Sequence, residues 1–147
     1  MRASAVTILL LACLGCDQRS ASPSPALPVK MVIVTMFERG ADEGDAPGEF
    51  QFWKERRDLD QRFALPHAHH DLFYNPDSQI LGLVTGVGTA KATASTMALG
   101  LDDRFDLSRA YWLVAGIAGI DPENASIGSA AWSAYLVDGD LDRKSVV

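Results

Sequence analysis

The residues best suited to chemistry form a short run, Thr85-Gly86-Val87-Gly88-Thr89, between a strand-like stretch and an Ala-rich helical one. A helix start presents unpaired backbone N–H groups and the positive end of its dipole, both of which suit an anion. Gly86 and Gly88 let a phosphate or ribose approach the main chain, while Thr85 and Thr89 add hydroxyls. The run lacks the third glycine of a dinucleotide fingerprint and the lysine of a P-loop. A tight strand-to-helix turn with Thr89 as its N-cap explains the same residues equally well. A second glycine-bearing run, Ala115-Gly116-Ile117-Ala118-Gly119, leaves another strand-like stretch. Two such turns at strand ends would share one edge of a sheet and one crevice; close packing is the competing reading of each.

Other constellations carry less. His67-Ala68-His69-His70-Asp71 has the residue types of a metal site. On a strand, however, His69 and His70 point to opposite faces. Zinc needs three or four convergent ligands, and no second cluster follows. A solvated loop is the reading adopted, with no metal and no cofactor. Glu38, Asp42, Glu43 and Asp45 read as a solvated acidic loop. No Gly-x-Ser-x-Gly elbow occurs, so triad hydrolysis has no support. Both cysteines, Cys13 and Cys16, lie near the start, which leaves the rest of the chain no thiolate and no disulfide.

The elements that would position these turns alternate. Val29–Met36 is a nearly continuous apolar run that suits a buried parallel strand. A helix is expected to start at Pro47, carry Phe50, Trp53 and Leu59 on one stripe, and end by Pro66. His70–Tyr74 and Gln79–Val84 flank the turn Asn75-Pro76-Asp77-Ser78 and predict a hairpin. Ala90–Leu101 predicts a helix with Met97 and Leu101 on its packed side. Ala110–Ala115 predicts a further buried strand, Asp121–Asn124 a turn, and Ala130–Asp138 a last strand. Strands interleaved with helices mean an α/β fold, whose site lies beyond the carboxyl ends of the strands.

The chain has 147 residues and a formal charge of −6, with 48% hydrophobic and 22% charged residues. Those are globular proportions for one domain or a piece of one. The acidic balance argues against nucleic acid as a partner. No stretch reaches the roughly 20 apolar residues of a spanning helix. Residues 1–16 combine a basic head with an apolar core and read as a signal peptide. Cys13 and Cys16 each end a lipobox-like run, which makes them the lipidation candidates. Residues 17–28 read as a Ser/Pro/Ala linker, and 29–147 as a partial domain. An exported protein is therefore expected, periplasmic or held at a membrane as a lipoprotein. Leu141–Val147 starts no convincing element, and so the domain is expected to continue in a longer protein.

Taken together, Thr85-Gly86-Val87-Gly88, the Ala-rich helix, Phe105 to Pro122, Ile127-Gly128-Ser129 and Tyr135 resemble the nucleoside phosphorylase superfamily. Within it, the chain is most similar to the purine nucleoside permease family; Met36-Phe37-Glu38 and Trp53 fit too. The likeness runs from about Val29 to Leu141. It implies a phosphorylase-like mixed sheet flanked by helices, an incomplete N-terminal portion of that fold, and a purine nucleoside ligand. Carried over, Thr85, Gly86, Gly88 and Thr89 would lie by the ribose or phosphate. Ile117, Ala118 and Gly119 would line the base, and the loop near Phe37 would wall one side. In the superfamily's enzymes the acid that protonates the leaving purine comes from the later half, so this chain alone is expected to be inactive. Three functional readings follow. They are nucleoside binding in uptake, cleavage of the N-glycosidic bond by phosphorolysis or hydrolysis, and a generic exported α/β domain. Phosphate is a candidate second ligand, and an oligomer is left open.

Overall fold

A computed structural model of the protein describes residues 25–136. The expected signal peptide, Cys13, Cys16, most of the linker and the tail from Val137 lie outside the described residues. The elements run β1 (Leu27–Pro28), β2 (Met31–Thr35), α1 (Gln51–Arg56), β3 (Gln61–Phe63), β4 (Leu72–Asn75), β5 (Ile80–Val84), α2 (Thr89–Gly100), β6 (Phe105–Asp106) and β7 (Tyr111–Val114). β1 and β6 make a small parallel pair. The other five strands form one mixed sheet in the order β3-β4-β5-β2-β7. The fold is α/β, as expected.

β2 is the middle strand of the parallel trio β5-β2-β7, and its residues are apolar on both faces. It pairs in parallel with β5 (Val32↔Leu81, Val34↔Leu83) and with β7 (Val32↔Trp112, Val34↔Val114). On one face Val32, Val34, Leu72, Tyr74, Leu81 and Leu83 pack with Leu99 of α2. On the other, Phe73 and Val84 pack with Phe50 and Leu59 from the α1 side. Gly82 lies in register with both Phe73 and Ile33, on this second face. A Cβ there would stand 2.5 Å from Phe50 Cε2 and 3.1 Å from Leu59 Cδ1. Gly82 is thus the seat of the Phe50 ring.

The hairpin forms as predicted. Its turn is closed by Asn75 Oδ1, which accepts from the N–H groups of Asp77 and Ser78 at 2.9 and 3.0 Å. The Asp121 turn also forms, with Asn124 N–H on the Asp121 carbonyl.

Four expectations need correction. The helix expected up to Pro66 ends at Arg56; Asp58 takes a positive φ of 50°, and the chain turns into the edge strand β3. On α2 the buried residues are Ser95 and Leu99, whereas Met97 and Leu101 are exposed, because the inward stripe is set one to two residues off the expected one. β7 forms but is not buried: Tyr111, Trp112 and Val114 are all exposed. It lies at the end of the sheet order, so it pairs with β2 alone. Finally, no strand forms over the described part of Ala130–Asp138, where Trp132, Tyr135 and Leu136 are exposed and find no neighbouring strand to pair with.

Candidate functional site

β5, β2 and β7 are parallel, so Val84, Thr35 and Val114 end on one rim. The Thr85–Thr89 turn leaves from β5, the 36–50 loop from β2, and the Ala115–Gly119 turn from β7. Two strand spacings separate the outer turns, which is about 10 Å. The sequence argument for a shared edge is therefore met. A single crevice does not follow, because the cavities at this rim are distinct.

The first turn is held from within. Thr85 is 1% exposed, and its single hydroxyl proton is shared between the carbonyls of Thr35 (3.2 Å) and Gly86 (3.1 Å). Ser95 Oγ, buried on α2, donates to the Thr85 carbonyl and accepts from the His69 N–H, at 2.9 and 3.0 Å. The Thr85 side chain is consequently an internal bracket that ties β5 to β2. Gly86 has φ +82° and lies beneath His69 and Lys91, each 2.8 Å from where its Cβ would be. Gly88, φ +96°, is the N-cap of α2 and has open space around it. Thr89 is therefore the first helical residue, not the cap. His67, His69, Lys91 and Ser95 border a small cavity of about 240 Å³ beside this turn.

The second turn is held by Glu49. One carboxylate oxygen accepts the Met36 N–H and the other the Ile117 N–H, both at 2.8 Å. This clasp joins the end of β2 to the turn after β7. Ile117 is 70% exposed, and Gly119 has nothing within reach of an added Cβ. Two of the cavities that border this turn share Trp53 as a wall. One, of about 450 Å³, lies between Trp53, the end of β7, Ala118–Ile120 and Ser129–Trp132. The other, of about 560 Å³, lies between Trp53, Glu49, Phe52 and Ala115–Ile117. Volumes of this order suit a small organic ligand. Phe37 stands half-buried on the same rim, its carbonyl accepting the Glu49 N–H at 3.2 Å, and lines neither cavity. Residues of the Thr85–Thr89 turn line neither cavity as well.

The acidic loop is not a solvated run of charges; its carboxylates fold it. Glu38 accepts from the backbone N–H groups of Arg39, Gly48, Phe50 and Gln51, and so caps α1 from outside the helix. Burial pushes the Glu38 carboxyl up, but these four donors together outweigh it and hold it below its ordinary 4.5. Asp42 pairs with His70 Nε2 at 2.9 Å, and Glu43 with the largely buried Lys54. His70 also contacts the Asp71 carbonyl through Nδ1 and packs edge-on against Phe50. Among the described residues no group of three or more His, Cys, Asp or Glu is arranged to hold a metal.

Sequence reasoning missed Glu38 and Glu49 as loop-setting groups, and Trp53 as the wall common to two cavities. The one local signal was the position of Trp53 on the predicted stripe with Phe50.

The family model for purine nucleoside permease matches residues 28–145. A probable purine nucleoside permease of Schizosaccharomyces pombe is 43% identical over 77 residues, which are 52% of this chain and 22% of that protein. A purine nucleoside permease of Candida albicans is 29% identical over 116 residues, which are 77% of this chain and 26% of that protein. The chain thus spans about a quarter of the length of the curated relatives it matches. No solved structure matches it. Among the described residues no helix is long and apolar enough to cross a membrane. The relatives overturn one expectation: permeases of yeasts are not periplasmic lipoproteins, so the exported, periplasmic or lipid-anchored location is withdrawn.

Proposed function

We propose, since this chain belongs to the purine nucleoside permease family, that the carboxyl rim of its sheet binds a purine nucleoside in the service of nucleoside uptake. The observation that carries the reading is the placement of two glycine turns on one rim, on either side of the central strand. The exposed Gly88 and Thr89 side of the first turn is the part suited to a ribose or phosphate, with Thr85 and Gly86 shaping it from behind. Ala118 and Gly119 offer small side chains and backbone amides to the base, Ile117 flanks it with its N–H already held by Glu49, and the loop through Phe37 closes the rim between the two turns. A purine nucleoside is extended enough to reach from the second turn toward the first.

Equilibrium dialysis of the full chain with inosine or adenosine tests this, with Gly119→Val as the discriminating variant. Gly119 lines the 450 Å³ cavity and an added Cβ there meets no neighbour, so valine alters the lining without displacing the fold. The expected result is a wild-type complex weakened about tenfold or more by Gly119→Val, with an unchanged Tm. Undiminished binding would remove the second turn from the site. Release of free base in the same incubations would turn the reading to N-glycosidic cleavage, with phosphate dependence separating phosphorolysis from hydrolysis.

A further inference from the structure

α1 is short, and its register decides which side chains face inward. Phe50 fills the seat above Gly82, and Lys54, four residues on, is buried over the Phe73 ring at 5.2 Å. Trp53, one residue before Lys54, falls at the margin of that inward stripe. It packs against the Phe50, Leu59, Phe73 and Val84 cluster while remaining partly exposed, and it borders both cavities at the second turn. An indole backed by a rigid cluster and open to a cavity is a preordered plane, so a flat ligand can stack on it with little further loss of side-chain freedom. Ala118 and Gly119 line the same 450 Å³ cavity and leave its interior clear. Trp132 also lines it, but is 82% exposed; Trp112 lines neither cavity.

We propose that Trp53 is the stacking platform for the purine ring, in the cavity between α1 and the turn after β7. This rests on the nucleoside reading above and deepens it, by naming the side chain that recognises the heterocycle and not the sugar. Stacking is insensitive to the exocyclic groups of the base, so a platform alone favours purines over the smaller pyrimidines without choosing among purines.

The test compares wild type, Trp53→Leu and Trp53→Phe of the full chain by equilibrium dialysis with inosine, hypoxanthine and uridine, alongside Tm. Leucine keeps an apolar contact with the cluster and removes the plane; phenylalanine keeps a plane. Trp53→Leu is expected to weaken inosine and hypoxanthine by about tenfold or more, with uridine changed less, and Trp53→Phe to restore most of the loss. Equal binding by wild type and Trp53→Leu would overturn the platform and leave the nucleoside reading standing. So would equal loss in both variants at unchanged Tm. Failure of the wild type to bind inosine at all would overturn the nucleoside reading, and this inference with it.

Discussion

Gly82→Val is expected to cost about 3 kcal/mol of folding stability or more, read as a lowered urea midpoint. Glycine inside a strand ordinarily weakens it, so a side chain there would normally help. The sign reverses at this position because the space is taken. A Cβ would stand 2.5 and 2.8 Å from two atoms of the Phe50 ring, which is fully buried and cannot swing aside. Even Gly82→Ala should be destabilising, by roughly 1–3 kcal/mol. Against a total of about 5–15 kcal/mol for a typical domain, the valine variant removes a large share. The cause can be isolated with a double variant: trimming the ring in Phe50→Leu should make Gly82→Ala much less costly than in the wild-type background. Independent, additive effects would place the clash elsewhere.

The second large effect belongs to Glu38. Replacing it with glutamine leaves one acceptor oxygen and turns an NH₂ group toward backbone donors that a carboxylate now satisfies. We expect a loss of about 2–3 kcal/mol, in the range for hydrogen bonds to a charged acceptor, and fraying of α1 from its start. The pH dependence has a definite sign. The folded-state pKa lies below the ordinary 4.5, so the unfolded chain takes up the proton first as pH falls. The stabilisation from Glu38 is therefore full above the unfolded value and is lost as pH drops through the folded one. Wild type and Glu38→Gln should differ by a constant amount at neutral pH and converge below about pH 4.5. Other carboxylates on this protein, among them Asp71 and Asp102, are also held low. The difference between the two profiles, and not either alone, is the test. A gap that persists unchanged into acid would show that the four donors do not recognise the charge.

Several elements were legible in the sequence because their signals were local. The β-branched run of β2, the Asn-Pro-Asp-Ser turn between β4 and β5, and the Ala-rich α2 after two glycines each sit where the pattern puts them. The shared rim of the two turns followed from the alternation of strand and helix. β3 was missed since Gln61-Arg62-Phe63 has no strand pattern of its own; it exists by pairing with β4. The packed face of α2 was misread because alanine and serine, small enough to lie against the sheet, hide the inward stripe, and two conspicuous residues, Met97 and Leu101, point elsewhere. The site was half legible. Glycine positions announce themselves, but the partners of Glu38 and Glu49 are backbone amides up to 68 residues away, which no spacing reveals.

The position of β2 between β5 and β7 has a consequence for the making of the chain. Met31 pairs with Ile80 and Tyr111, so its partners emerge 80 − 31 = 49 and 111 − 31 = 80 residues after it. On the ribosome this apolar ribbon is delivered before either partner, and it stays without a mate while the later hairpin is still being translated. For that interval it is an apolar stretch open to mispairing, and one that a holdase has reason to grip.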